Sequence, residues 1–144
     1  MYFSGAVRKV GRGWLIEVPA LDLMTQASTK KGSYDMLTDA LESLVNCKDF
    51  KVRIFPLLDD RFILGTNNDN LFIALVLKRQ RIKHGLSLSD MAKRLGASSK
   101  NAYAQYEQGK NLPSLPKLQE FLQAMGKNVI LTFNVIEKDL KEVA

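Results

Sequence analysis

Polar and apolar positions alternate from Tyr2 to Val10, with Phe3, Gly5 and Val7 on one face and Arg8 on the other, which predicts a strand. Gly11-Arg12-Gly13 is a turn signal. Beyond it Trp14, Ile16 and Val18 alternate with Leu15 and Glu17 as far as Pro19, so the two runs should form a hairpin. After a connection over 20–23, Met24 to Ala27 reads as a third strand. From Ser33 the period lengthens to that of a helix. Leu37, Ala40, Leu41, Leu44 and Val45 make one stripe, with Asp35, Asp39 and Glu42 toward solvent, predicting an amphipathic helix over 33–46. A strand over 50–55, a turn over 56–60 and a short strand over 61–65 complete the pattern. Three antiparallel strands, a helix and a returning strand make a compact α+β domain over 1–65.

Thr66-Asn67-Asn68-Asp69-Asn70 is a polar linker over 66–70, and the pattern beyond it is helical. Asn70 can cap a first helix whose buried face is Leu71, Ala74, Leu75 and Ile82. A second helix starts at the capping box Ser87 and Asp90, buries Leu88, Met91, Ala92 and Leu95, and stops at Gly96. A third starts at Ser98 or Ser99. It buries Ala102, Tyr103 and Tyr106 and turns Lys100, Asn101, Ala104, Gln105 and Gln108 outward. Leu115, Leu118, Leu122 and Met125 mark a fourth, capped by Ser114 and ended by Gly126. Val129, Leu131, Phe133 and Val135 then alternate with Ile130, Thr132, Asn134 and Ile136, a strand over 128–136 that is apolar on both faces. Such a strand needs a covering partner. It either returns to the N-terminal sheet or pairs with its twin in another subunit, and the twin is preferred. The second domain therefore spans 71–137, all-α apart from its terminal strand, and 138–144 is a frayed tail.

At 144 residues, 46% hydrophobic and 25% charged, the chain has room for one medium or two small globular domains. The apolar run from Leu71 to Leu77 stops at Lys78, too short to span a membrane. The opening residues have no secretion-signal pattern, so a cytoplasmic protein, nucleoid-associated when bound to DNA, is expected. Cys47, the only cysteine, can form no internal disulfide and falls on a helix stripe, which places it in the core. His84, the only histidine, suits a capping or phosphate-adjacent role. A histidine-based metal cluster is thereby excluded and a catalytic triad made implausible, and no cofactor is expected. Charge is unevenly spread. Eight Lys and Arg against two acids between 78 and 110 give that segment +6, the net charge of the whole chain, while 1–69 is neutral. A basic cluster over paired short helices is the electrostatic footprint of nucleic-acid binding.

The motifs Gly85-Leu86-Ser87, Met91-Ala92-Lys93-Arg94-Leu95-Gly96, Glu107-Gln108-Gly109-Lys110-Asn111-Leu112-Pro113-Ser114 and the helix from Leu115 to Gly126 follow one another as in the XRE/Cro-type helix-turn-helix, which this segment resembles. Met91 stands where that family usually has Leu, and the turn at Ala97-Ser98-Ser99 is one residue longer. The resemblance implies that the third helix of this domain enters the major groove. Lys100, Asn101 and Gln105 are then the candidate base readers, since lysine can donate to guanine while asparagine and glutamine can bond adenine twice. Arg79, Arg81, Ser99, Lys110 and Asn111 are the candidate phosphate contacts. A homodimer, or a higher homo-oligomer, would read double-stranded operator DNA carrying an inverted repeat.

Tyr2 to Val7, the turn Gly11 to Gly13, Trp14 to Pro19, Thr25-Gln26-Ala27-Ser28-Thr29 and the helix from Ser33 to Val45 together resemble the HicB antitoxin family. That resemblance implies a degenerate ribonuclease H-like fold for the first domain. It also implies a protein partner, a HicA-like mRNA-cleaving toxin held inactive by that domain, so that the chain is a type II antitoxin repressing its own operon. The segment Pro19-Ala20-Leu21-Asp22-Leu23-Met24 departs from the family's pattern. A helix-turn-helix repressor whose first domain senses a ligand or another protein is the alternative. A third reading, a nuclease, would need Glu17, Asp22, Asp35 and Asp39 to converge on metal, and the expectation is that this chain is not an enzyme.

Overall fold

The computed structural model describes residues 1–143, which divide into two compact units: Met1–Asn68 with the segment from Glu137 on, and Asp69–Ile136. Each unit is taken by itself.

In the first unit, β1 (Tyr2–Val10) and β2 (Gly13–Val18) form the expected hairpin, with Val7 opposite Ile16 and Ala6 opposite Glu17. Pro19 cannot continue the ladder, so the chain makes a 3-10 turn, Pro19–Leu21, before β3 (Leu23–Ala27) runs back along β2. Helix α1 (Lys30–Val45) follows, then β4 (Val52–Pro56) and β5 (Arg61–Thr66). The five strands lie in the order β3-β2-β1-β5-β4, and every neighbouring pair is antiparallel. The strand that returns beside β1 is β5, while β4 pairs with β5 at the margin.

Helix α1 covers the face carrying Val7, Ile16, Val18, Phe62 and Leu64, all fully buried, and adds Tyr34, Leu37 and Leu41 to that core. Gly5 has no side chain because Phe62 occupies the space: a Cβ there would lie 2.1 Å from the Phe62 ring and 2.7 Å from the Glu17 carbonyl oxygen. The helix begins three residues before the predicted Ser33, because Thr29, not Ser33, is the cap, accepting from Gly32 N at 2.9 Å. It ends at Asn46, whose left-handed backbone (φ 51) swings the chain off the axis. The apolar stripe does not extend past that point, so Cys47 is exposed and the expected core position is corrected. Leu44, also placed on the stripe, is 44% exposed.

The second unit holds α2 (Asp69–Lys83), α3 (Leu88–Arg94), α4 (Lys100–Glu107) and α5 (Leu115–Met125). Helix α2 starts inside the predicted linker, at Asp69. Its buried residues run without a break from Phe72 to Leu77, and Ile82, expected inside, is exposed. Met91, Ala92, Tyr103, Ala104, Leu118, Phe121, Leu122 and Met125 make the shared core, with Phe121 edge-on to both Tyr103 and Tyr106 at ring separations of 5.1 and 4.9 Å. Turns between helices fall at Gly85, Gly96 and Gly109, all at positive φ. At Gly109 the requirement is double, since φ is +71 and a Cβ would lie 2.8 Å from Leu71 Cδ2.

Neither terminal segment forms a regular element within the single chain. Among the described residues no strand pairs with 128–136, so the segment does not return to the N-terminal sheet. The alternation is that of a strand, but a strand needs a neighbour for its backbone groups. Beyond it, the predicted frayed tail meets the edge of β4, where Val143 N donates to the Ile54 carbonyl oxygen at 2.9 Å.

Candidate nucleic-acid interface

A helix that is to enter a DNA groove must be held firmly on its inner side, and here the hold is an ion pair. Arg81 on α2 donates through Nε to Glu107 Oε1 at 2.6 Å and through Nη2 to Glu107 Oε2 at 2.9 Å. Its Nη1 donates to the Leu86 carbonyl oxygen at 2.7 Å. The two side chains are only 13% and 7% exposed. This two-pronged geometry is what a guanidinium and a carboxylate favour, and the Glu107 hydrogen bonds hold the Arg81 proton more tightly than usual. Arg81, expected among the phosphate contacts, is therefore committed inside the protein, and that expectation is corrected. Among the described residues the buried hydroxyl of Tyr103 makes no well-formed hydrogen bond; burial, then the nearby Glu107 carboxylate, push its pKa well up.

The same pair sets the roll of α4. Drawing Glu107 inward makes Tyr103, Ala104 and Glu107 the inner stripe, so Ala104 is buried and Ala102 exposed, the reverse of the sequence expectation. Lys100, Asn101, Gln105 and Gln108 nevertheless face outward, as expected. Ser99 is the helix cap and accepts from Asn101 N at 3.2 Å, which leaves its hydroxyl proton free to donate. Asn111 Nδ2 donates to Gln105 Oε1 at 3.0 Å, fixing the carboxamide of Gln105 so that its NH2 group is available to a base. Lys110 is exposed in the turn next to Asn111, while Arg79 is half-buried on α2. The structure thus gathers Ser99, Lys100, Asn101, Gln105, Lys110 and Asn111 on α4 and its two flanking turns.

Helix α3, which precedes the turn, carries the capping box in full. Asp90 N donates to Ser87 Oγ at 3.0 Å and Ser87 N to Asp90 Oδ2 at 2.8 Å. The backbone amide of Ser87, followed by its side chain, holds the Asp90 carboxyl below its ordinary value. At its other end Arg94 donates to the Ala124 and Met125 carbonyl oxygens at 2.9 and 3.2 Å, satisfying the C-terminus of α5. His84 lies with Nδ1 2.7 Å from the Gln80 carbonyl oxygen, which can only accept, so this nitrogen carries the proton and the ring closes the end of α2.

Sequence reasoning missed the inward roles of Arg81, Glu107 and Arg94. One signal was readable: Glu107 follows Tyr103 by one helical turn, a charge in phase with the buried stripe that requires an opposite partner. In the first unit the four acids considered for metal do not converge, since Glu17 lies on the sheet face opposite α1, which carries Asp35 and Asp39. Among the described residues no group of three or more His, Cys, Asp or Glu is placed to hold a metal ion, and no helix is long and apolar enough to cross a membrane.

Comparison with known families agrees with this geometry. Residues 77–130 match the family model described as helix-turn-helix. No curated protein matches the chain. The matched span starts in α2, contains α3, α4 and α5, and covers every residue of the candidate interface. Residues 77–130 are accordingly an XRE-type helix-turn-helix domain, which points to a DNA-binding transcriptional regulator.

Proposed function

We propose that the chain is the antitoxin of a type II toxin-antitoxin pair, repressing its own operon through the second unit and neutralising a HicA-like mRNA-cleaving toxin through the first. The observation that carries the DNA half is the outer face of α4, where Lys100, Asn101 and Gln105 stand exposed on a helix locked from behind by Arg81 and Glu107. These three side chains read base edges. Ser99, Arg79, Lys110 and Asn111 take phosphates and set the register. The operator is an inverted repeat read by a dimer.

The toxin half rests on the HicB-like wording of residues 1–55. A meander of three strands followed by a helix on one sheet face supports it, and so does the acidic outer side of α1, where Asp35 and Asp39 are exposed. Carboxylates there suit a basic, RNA-binding partner. In this reading the sheet is a degenerate ribonuclease H fold without catalysis of its own.

Two measurements test the proposal. Lys100→Ala with Gln105→Ala should abolish the preference for the native promoter over an unrelated duplex, a loss of about tenfold or more per base contact removed; an unchanged preference would overturn the base-reading assignment. For the toxin half, the product of the adjacent reading frame should stop growth when expressed alone and copurify with this chain when both are expressed. A harmless neighbour, or one that does not copurify, removes the antitoxin reading and leaves a repressor.

A further inference from the structure

Beyond α5 the chain changes character. Gly126 is extended, with φ −171 and ψ 140, and the nine residues Asn128 to Ile136 contain no charge. Val129 N donates to the Gly126 carbonyl oxygen at 3.0 Å and Leu131 N to Gln119 Oε1 at 2.8 Å, which ties the first part of the segment to α5. From Thr132 to Ile136 no strand pairs with it, and Ile130, Phe133, Val135 and Ile136 are 66%, 73%, 94% and 52% exposed. Leaving four large apolar side chains in water within seven residues is costly, and an unpaired edge of β-branched and aromatic residues invites a strand. The helix-turn-helix match ends at residue 130, so the most exposed part of the segment lies outside the DNA-reading module.

We infer that residues 128–136 form a docking strand for a second copy of this chain, the two copies pairing antiparallel about Thr132. The sequence is self-complementary in that register. Val129 falls opposite Val135 of the second copy and Leu131 opposite Phe133, giving one wholly apolar face of the ribbon. Thr132 meets its twin on the other face, with Ile130 opposite Asn134. At each end Lys127 falls opposite Glu137, an opposite-charge pair. Centring the ribbon on Phe133 instead would set Val129 against Glu137 and lose that match. Because the pairing is two-fold, the interface is isologous and closes at two copies. The hydrogen bond from Leu131 to Gln119 then couples the ribbon to α5, so the dimer holds two copies of α4 in a fixed relation. The inference deepens the DNA-binding reading by naming how the two half-site readers are joined.

The test uses the full-length chain. With Cys47→Ser as background, Thr132→Cys should give a covalent dimer under mild oxidation, because twin residues at the centre of such a ribbon bring their Cβ atoms within disulfide reach. The double variant Phe133→Lys, Val135→Lys should sediment as a monomer with an unchanged helical circular-dichroism signal. It should still bind a single half-site duplex, while its affinity for the full inverted repeat falls roughly a hundredfold as avidity is lost. No covalent dimer from Thr132→Cys, or a lysine variant that still sediments as a dimer, would overturn the inference. A dimeric wild-type protein that binds neither half-site nor full operator would overturn the DNA reading and leave the strand pairing standing.

Discussion

Arg81 is the residue at which net charge is least informative. It contributes to the +6 of the segment 78–110, yet its charge is spent on Glu107, and removing either partner strands the other inside the protein. Glu107→Leu should destabilise the second unit by about 3 kcal/mol, the cost of an uncompensated buried charge. Tyr103→Phe, one helical turn away, should act in the opposite sense. It removes a buried hydroxyl that, beside Glu107, makes no well-formed hydrogen bond among the described residues, and should raise stability by about 1 kcal/mol. Urea unfolding of the two variants checks both signs at once, and equal destabilisation by both would show that the Tyr103 hydroxyl has a partner.

At the scale of the element, the capping box of α3 makes the helix start sensitive to acid. The Asp90 carboxyl sits below its ordinary value of 3.8 because the Ser87 backbone and side chain hydrogen-bond its charged form. A carboxylate depressed in the folded state contributes stability at pH above its unfolded value, and that contribution is lost as the pH falls through the lowered folded value. The stability of wild type relative to Asp90→Asn should therefore be constant near neutrality and shrink below about pH 4. An NMR titration of the Asp90 carboxyl with a midpoint at or above the ordinary value would contradict it. A cap is a local hydrogen bond, so three helix starts of the second unit were legible: Ser87 and Ser114 cap where the spacing placed them and Ser99 is one of the two starts it allowed, whereas α1 and α2 begin ahead of the predicted Ser33 and Asn70.

For the whole molecule, what matters is how many cations remain available to DNA. With Arg81 turned inward and Arg94 holding the end of α5, Lys100 and Lys110 are the lysines at the reading face. Lys110→Ala should weaken operator and unrelated duplexes alike and lower the slope of log affinity against log salt by about one. Fluorescence titration across salt concentrations measures it, and a loss confined to the operator would instead make Lys110 a base reader.

Periodicity and turn chemistry by themselves determined the two hairpin strands, the helix that follows, and the succession of four short helices with the outward set Lys100, Asn101 and Gln105. Each of these depends on contacts within a few residues. Only the tertiary structure decided the roll of α4, which follows an ion pair between residues 26 apart in the chain. It also decided that β5 rather than β4 lies beside β1, that Cys47 is turned out by the left-handed Asn46, and that no strand among the described residues pairs with the alternating segment 128–136. Pattern specifies which face of an element is apolar, but what meets that face depends on partners distant in sequence or, for an unpaired strand, on another molecule.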